Sequence, residues 1–397
     1  MFNSLTPITN RRGLSVFTFM LSIYFLSLLL QTIYYPLRYT KYVLPFIAII
    51  DFIAFRSSRK LHTHILREYL QPNLAIDFFL IFCSFISCFI AGYFKSDRLY
   101  VRFFQESFFI LAPLLFILVT YFYYVPSKKE QYAKYAFWSL IFVYLVEEGF
   151  NIISIITNPS LLYLAVTQSN LSTESGHAFT IGLFFLYFTF RGEKLYSILS
   201  LFFTILSYKR VVLLSLFITT PLYFLLSKIN FKIYRYQNLI SISSMIINFL
   251  LVLIIIQLAN GTYDEIITDY TGLSTDALLM GRQQLYAQVL KTLGNYSWFG
   301  TGLGSTMVAI VESQKFVASL INVHSDLLKN FLEFGSVLYL IWSFFLYRLN
   351  TRTIEMFVIT IYLNIIFLTD NVFIYFDVMF IFYLLQSFFV TESVLKR

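Results

Sequence analysis

Charge is what this chain has least of. Only 13% of its 397 residues are Asp, Glu, Lys or Arg, against the ~25% usual for a soluble globule. Hydrophobic residues make up 58%, aromatic residues 20%, and mean hydropathy is +0.72. That balance excludes a water-soluble domain. Cysteine is also scarce: Cys83 and Cys88 lie among Phe and Ile with no His or carboxylate at ligand spacing, so they read as small buried hydrophobes rather than a metal or disulfide site. With 8 Pro and 14 Gly and no stretch rich in Gly, Ser or Pro, nothing marks a linker. Residues 1–397 therefore read as a single integral-membrane domain. No period of 20–50 residues is visible, which argues against a solenoid.

What the sequence does have is long apolar runs. Spanning a bilayer takes about 20 apolar residues per helix, and candidates lie near 14–35, 42–55, 74–94, 108–125, 135–157, 177–190, 195–208, 211–227, 238–258, 335–347, 354–368 and 372–391. The expectation is an all-α polytopic membrane protein of about twelve transmembrane helices. The first run is longer than a signal-peptide core and lacks a small-residue cleavage pattern, so it reads as an uncleaved helix. Most of the 29 Lys and Arg fall in the segments that are cytoplasmic if the N-terminus is inside. Basic residues resist translocation, so both termini are expected in the cytoplasm. The net charge of +8 is accounted for by anchoring beside anionic lipid and carries no nucleic-acid signal.

This topology places one long polar interruption, 259–333, on the outer face. Within it, Leu278 to Leu293 has near-helical apolar spacing, which predicts an amphipathic helix on or near the outer surface. Gly300, Gly302 and Gly304 follow in alternation and suit a tight turn or a close backbone approach. The next membrane helix is expected from Gly335, with His324 near its outer mouth.

Several residues could carry chemistry. Lys209 and Arg210 stand at an outer turn between two apolar runs, where a guanidinium matches phosphate oxygens bidentately and an ammonium adds a point charge; the alternative is interfacial anchoring. Arg282 reads equally as a phosphate ligand or as part of a solvated helix face. His324 is the one histidine of the long loop, and an imidazole can accept a proton from a sugar hydroxyl at neutral pH. Asp326 or a backbone carbonyl would orient its ring. Glu147 and Glu148 fall inside an apolar run, where a carboxylate tends to face a cavity or a partner. His177 follows Glu174 at the outer start of a span; capping chemistry is the plain reading, and sugar hydrogen bonding the other.

The series SYKR before a helix, then GRQQLYAQVLKTLGNYSWFGTGLGS, then VHSDLLKNFLEFG resembles the O-antigen polymerase and O-antigen ligase superfamily of bacterial membrane proteins. The resemblance spans roughly residues 170–345 at motif level. Arg210 takes the place of the family's first arginine, Arg282 of its second, Phe299 to Gly302 of its glycine stretch, and His324 with Glu333 and Gly335 of its last motif. Two departures are Ser325 where Asn is common and Lys209 where a small polar residue is common. The resemblance implies transfer of a glycan chain from undecaprenyl diphosphate to a hydroxyl of an incoming lipid-linked repeat unit, at the outer face of the bacterial plasma membrane. His324 would act as the base, and Arg210, Arg282 and Lys209 would bind the diphosphate. Glu147, Glu148, Glu174, His177 and Asp326 would be sugar contacts or supports. The partners expected are undecaprenyl-diphosphate-linked glycans, membrane lipid and a chain-length regulator, with no nucleic acid; neither metal nor cofactor is implied. A ligase that delivers glycan to lipid A core fits the same motifs. A flippase or other transporter would instead spread polar residues along the spans.

Overall fold

The computed structural model describes residues 10–33, 40–41, 43, 46, 66–90, 97–120, 126–158, 175–279, 281–294, 298–312 and 322–395. Of these, 86% are helical and none lies in a strand, so the fold is all-α. The helices are α1 (Asn10–Ile33), α2 (Gln71–Ile90), α3 (Asp97–Thr120), α4 (Lys129–Thr157), α5 (His177–Arg191), α6 (Lys194–Leu206), α7 (Arg210–Lys228) and α8 (Gln237–Ala259). Four short helices follow: α9 (Asp264–Thr271), α10 (Thr275–Leu278), α11 (Gln283–Leu293) and α12 (Ser305–Glu312). The last three are α13 (Asp326–Asn350), α14 (Ile354–Phe367) and α15 (Phe376–Leu395).

Each apolar segment read from the sequence falls on a helix, apart from 42–55, which lies almost wholly outside the described residues. Five helical stretches are long and apolar enough to cross a membrane: Glu68–Ile90, Leu99–Leu118, Arg210–Lys228, Ile233–Ala259 and Asp326–Asn350.

The chain forms two compact units. The first comprises Met1–Gln71, Ala112–Leu222 and Asp377–Arg397; the second comprises Pro72–Leu111 and Tyr223–Phe376. In the first unit α5 is buried on every side from His177 to Phe188, as expected of a helix that is apolar all round. It ends where Gly192 takes φ 71 and donates to Thr189 O, with Glu193 N reaching Phe188 O. This glycine-capped stop lets α6 fold back along α5.

In the second unit α8 packs along α13. Their contact is fixed by a polar knot: Asn248 Nδ2 donates to Ser343 Oγ at 2.9 Å and to Asn364 Oδ1 at 3.0 Å, and Asn364 Nδ2 returns a bond to Asn248 Oδ1 at 2.8 Å. Amides that would be costly alone in an apolar interior satisfy one another, which also fixes the register of α8, α13 and α14.

Two boundaries differ from the sequence reading. The helix expected from Gly335 begins at Asp326, so the polar insertion ends at Ser325 and not at 333. Residues 326–333 read as loop because Asp326, Lys329, Asn330 and Glu333 are polar, yet all four are buried. The helix expected from Leu278 to Leu293 is also divided: α10 stops, Gly281 turns at φ 77, and α11 starts after Arg282. Its apolar side, Leu285, Tyr286, Val289, Leu290 and Leu293, is buried against protein rather than laid on a surface.

Candidate functional site

The helix α13 is broken at Gly335 (φ 76, ψ 172), and the break is repaired by the glycine stretch. In a continuous helix, Leu332 O and Glu333 O would accept from the amides of residues 336 and 337. Here Thr301 N donates to Leu332 O at 3.1 Å, Gly302 N to Glu333 O at 2.8 Å, and Val337 N to Trp298 O at 3.1 Å. Backbones that close leave no room for side chains. A Cβ on Gly300 would strike Glu333 O and Gly335 N, and one on Gly335 would strike Gly300 N. The two glycine motifs of the sequence are therefore halves of one device.

His324 lies two residues ahead of α13, with φ 53. A left-handed conformation is uncommon for any residue but Gly and costs a side-chain-bearing residue about 1–2 kcal/mol. Its neighbours hold it there. The His324 carbonyl accepts from Arg282 Nη1 and from the Tyr286 hydroxyl, each at 3.4 Å. Arg282 Nη1 also donates to Thr369 O at 2.6 Å. Burial pushes the Tyr286 phenol up from its ordinary value, with the Arg282 guanidinium acting against that shift, so Tyr286 remains a donor at neutral pH. Ser325 then caps α13, accepting from Leu328 N at 3.3 Å.

The carboxylate that faces the imidazole is that of Asp370, with His324 Nδ1 3.9 Å from Asp370 Oδ1. Asp370 is held in turn by Asn371 N at 3.1 Å and the Tyr375 hydroxyl at 3.4 Å. Asp326 has a different task. Its Oδ2 accepts from Phe373 N at 2.6 Å while its own amide donates to Asp370 O at 3.2 Å, so it fastens the start of α13 to the 370–373 turn. The sequence reading offered Asp326 or a backbone carbonyl as the group orienting His324; in the structure Asp326 is engaged by Phe373 N, and Asp370 is the carboxylate near the ring.

Beneath this lies a buried ionic network that the sequence reading missed. Lys329 Nζ contacts Glu106 Oε2 at 2.5 Å and Glu333 Oε2 at 3.2 Å. Arg102 grips the other Glu106 oxygen at 2.8 Å, and Thr306 donates to Glu333 Oε1 at 2.5 Å. Lys329, Glu106 and Glu333 are fully buried. Two cations face two carboxylates, so the charges balance, as an apolar interior requires. The signal was present in the sequence: Arg102/Glu106 and Lys329/Glu333 are each four apart, but that spacing reads as readily as a solvated helix face.

The remaining candidates belong to the first unit. Arg210 is the first residue of α7 and is exposed; Lys209 lies 5.3 Å from the centre of the Phe179 ring. Tyr208, at φ 50, makes the tight turn before them. Backbone amides at the start of α7 and the Arg210 guanidinium suit an anion. Glu147 Oε2 and His177 Nε2 pair at 2.5 Å, with Tyr144 edge-on to the imidazole. This pairing across helices was not foreseen. Ser175 Oγ accepts from His177 N at 3.2 Å, while the N-cap of α5 is Gly176, which has no side chain to cap with. Glu148 is half-buried one residue along α4. Glu174 lies outside the described residues. The site residues thus fall into groups: Arg282, His324 and Asp326 in one unit, and Lys209, Arg210, Glu147, Glu148 and His177 in the other.

No curated protein and no solved structure matches the chain. Residues 195–343 match the family model described as O-antigen ligase, which is what this part of the chain is similar to.

Proposed function

We propose that the protein is a polymerase of lipid-linked oligosaccharide repeat units, acting at the outer face of the bacterial plasma membrane. The donor is a glycan chain on undecaprenyl diphosphate, and the acceptor is a hydroxyl of an incoming lipid-linked repeat unit. The observation that carries this reading is the His324–Asp370 pair beside Arg282.

With Nδ1 turned to Asp370, His324 offers Nε2 as the base. It takes the proton of the acceptor hydroxyl while that oxygen attacks the anomeric carbon. The bond from that carbon to the diphosphate oxygen breaks, and its electron pair leaves with the lipid diphosphate. One displacement inverts the anomeric centre. Negative charge grows on the leaving group, and Arg282, whose Nε and Nη2 are not used on the Thr369 and His324 carbonyls, stabilises it preferentially in the transition state. In the first unit, Lys209 and Arg210 are proposed as phosphate-binding side chains and the Glu147–His177 pair as a sugar contact.

The test is gel separation of products from purified protein supplied with lipid-linked repeat units. A ladder made by wild type and absent with folded His324→Ala supports polymerisation through this residue. Transfer to a lipid A core acceptor without a ladder makes the protein a ligase of the same superfamily. Passage of lipid-linked glycan across vesicles without transfer makes it a transporter.

A further inference from the structure

The short helix α9 is mounted the wrong way round for a helix in water. Tyr263, Ile266 and Tyr270 follow at intervals of three and four and share one face; they are 38%, 54% and 88% exposed, and Leu273, just past the helix, is 51% exposed. The side turned inward carries Asp264 and the half-buried Ile267: Asp264 Oδ1 accepts from Gln283 Nε2 at 2.9 Å, and the same amide donates to Leu258 O at 3.1 Å. An amphipathic helix on a soluble surface buries its apolar stripe and wets its polar one. Here Glu265 and Asp269 remain exposed beside the apolar face, and that face has no protein cover among the described residues.

Its position along the chain says what covers it. The helix α8 has 23 residues, from Gln237 to Ala259, about 34 Å at 1.5 Å per residue, against a hydrocarbon core of about 30 Å. The end of α8 therefore lies at headgroup level. Only residues 260–263 separate it from α9, with Gly261 turning at φ 75 and Thr262 bonded back to Gln257 at 2.8 Å. The turns of α8 that lead to this point themselves expose Leu250, Leu253 and Ile254. Tyrosines are the residues that favour this interface, with the ring among acyl chains and the hydroxyl among headgroups.

We propose that α9 is an interfacial helix, seated in the phospholipid bilayer at the outer end of α8 with Tyr263, Ile266 and Tyr270 in the lipid. Three acidic residues, Asp264, Glu265 and Asp269, and no basic one lie in α9, so it takes a zwitterionic surface rather than an anionic one. Such a helix sits about 5–10 Å into the headgroup and acyl boundary. The bond from Asp264 to Gln283 ties this level to the residue that follows Arg282.

The inference does not depend on the reaction proposed above, and its test involves no turnover. Nitroxide labels are placed singly at Ile266→Cys, Tyr270→Cys, Glu265→Cys and Asp269→Cys, in full-length protein with Cys83→Ala and Cys88→Ala, in bilayers of phosphatidylcholine and phosphatidylethanolamine. Power-saturation spectra compare collisions with oxygen, which concentrates in lipid, and with a water-soluble nickel chelate. Labels at 266 and 270 are expected to favour oxygen several-fold over those at 265 and 269. Nickel contact equal at all four sites overturns the proposal and leaves the face in water. Shielding of 266 and 270 from both agents also overturns it, by assigning the face to a protein partner or a second copy.

Discussion

At single residues, the proposed chemistry rests on how one imidazole is presented. His324 pays for its left-handed backbone with carbonyl bonds from Arg282 and Tyr286, and its ring meets a carboxylate from a distant turn. In the proposed reaction Asp370 is a positioning residue, its carboxylate lying 3.9 Å from His324 Nδ1. Asp370→Asn keeps the shape and reverses the hydrogen-bonding preference. It is expected to lower kcat by about 10²–10⁴-fold with KM little changed, as read by initial rates in matched folded preparations; a fall in KM-limited binding alone would make Asp370 merely structural. Lys329 lies deeper and answers to stability. Lys329→Met leaves Glu106 and Glu333 buried without their shared cation and is expected to cost about 3–5 kcal/mol. Adding Glu106→Gln should recover part of that loss in thermal melts. His324 and Arg282, singled out in the sequence because they fall in ordered motifs, are brought together in the structure. Asp370 was not singled out, because a carboxylate at a turn after a helix looks like solvation chemistry until the chain has folded it against the ring. Glu106 and Lys329 were hidden similarly, since an acid and a base four apart on a helix do not reveal which side faces the protein.

At the scale of elements, the glycine stretch and the broken helix act as one unit. The loop 298–302 replaces helical hydrogen bonds that α13 loses at Gly335, and this is why glycine stands at both points of contact. Gly300→Ala brings a methyl group against the backbone of Glu333 and Gly335 as well as straining φ 72. The φ term alone costs about 1–3 kcal/mol, so the total is expected to exceed that of Gly192→Ala, where φ is 71 and the Cβ meets open space. Paired thermal melts of the two variants in detergent check this, and equal losses would show that the close approach is unimportant. Apolar periodicity foretold the helices well, because length and hydropathy suffice for a span. It failed at 326–333, where a polar sequence forms a buried helix. Its partners come from α3 and from the start of α12, a pairing that periodicity within one segment cannot reveal. The stretch 278–293 erred in the other direction: its amphipathic pattern was correct, but its apolar side found protein to pack on.

At the scale of the whole molecule, the sequence read correctly as all-α and membrane-spanning, because scarcity of charge over long runs leaves few alternatives. Its sidedness is a prediction of its own. The Lys and Arg distribution puts the segment after α8 outside and the turn after α7 inside. With Cys83 and Cys88 replaced, a cysteine at Glu265 should react with a membrane-impermeant maleimide in intact cells or spheroplasts, and one at Lys232 only after permeabilisation. The opposite pattern would invert the topology and place His324 in the cytoplasm.

In the proposed reaction His324 moves the proton in a glycan transfer that expels a lipid diphosphate. The most direct measurement is the initial rate of undecaprenyl diphosphate release from lipid-linked repeat units by purified wild type and His324→Ala, with equal melting temperatures established first. The expected result is a fall of at least about 10²-fold in the variant. An unchanged rate in folded His324→Ala would contradict it.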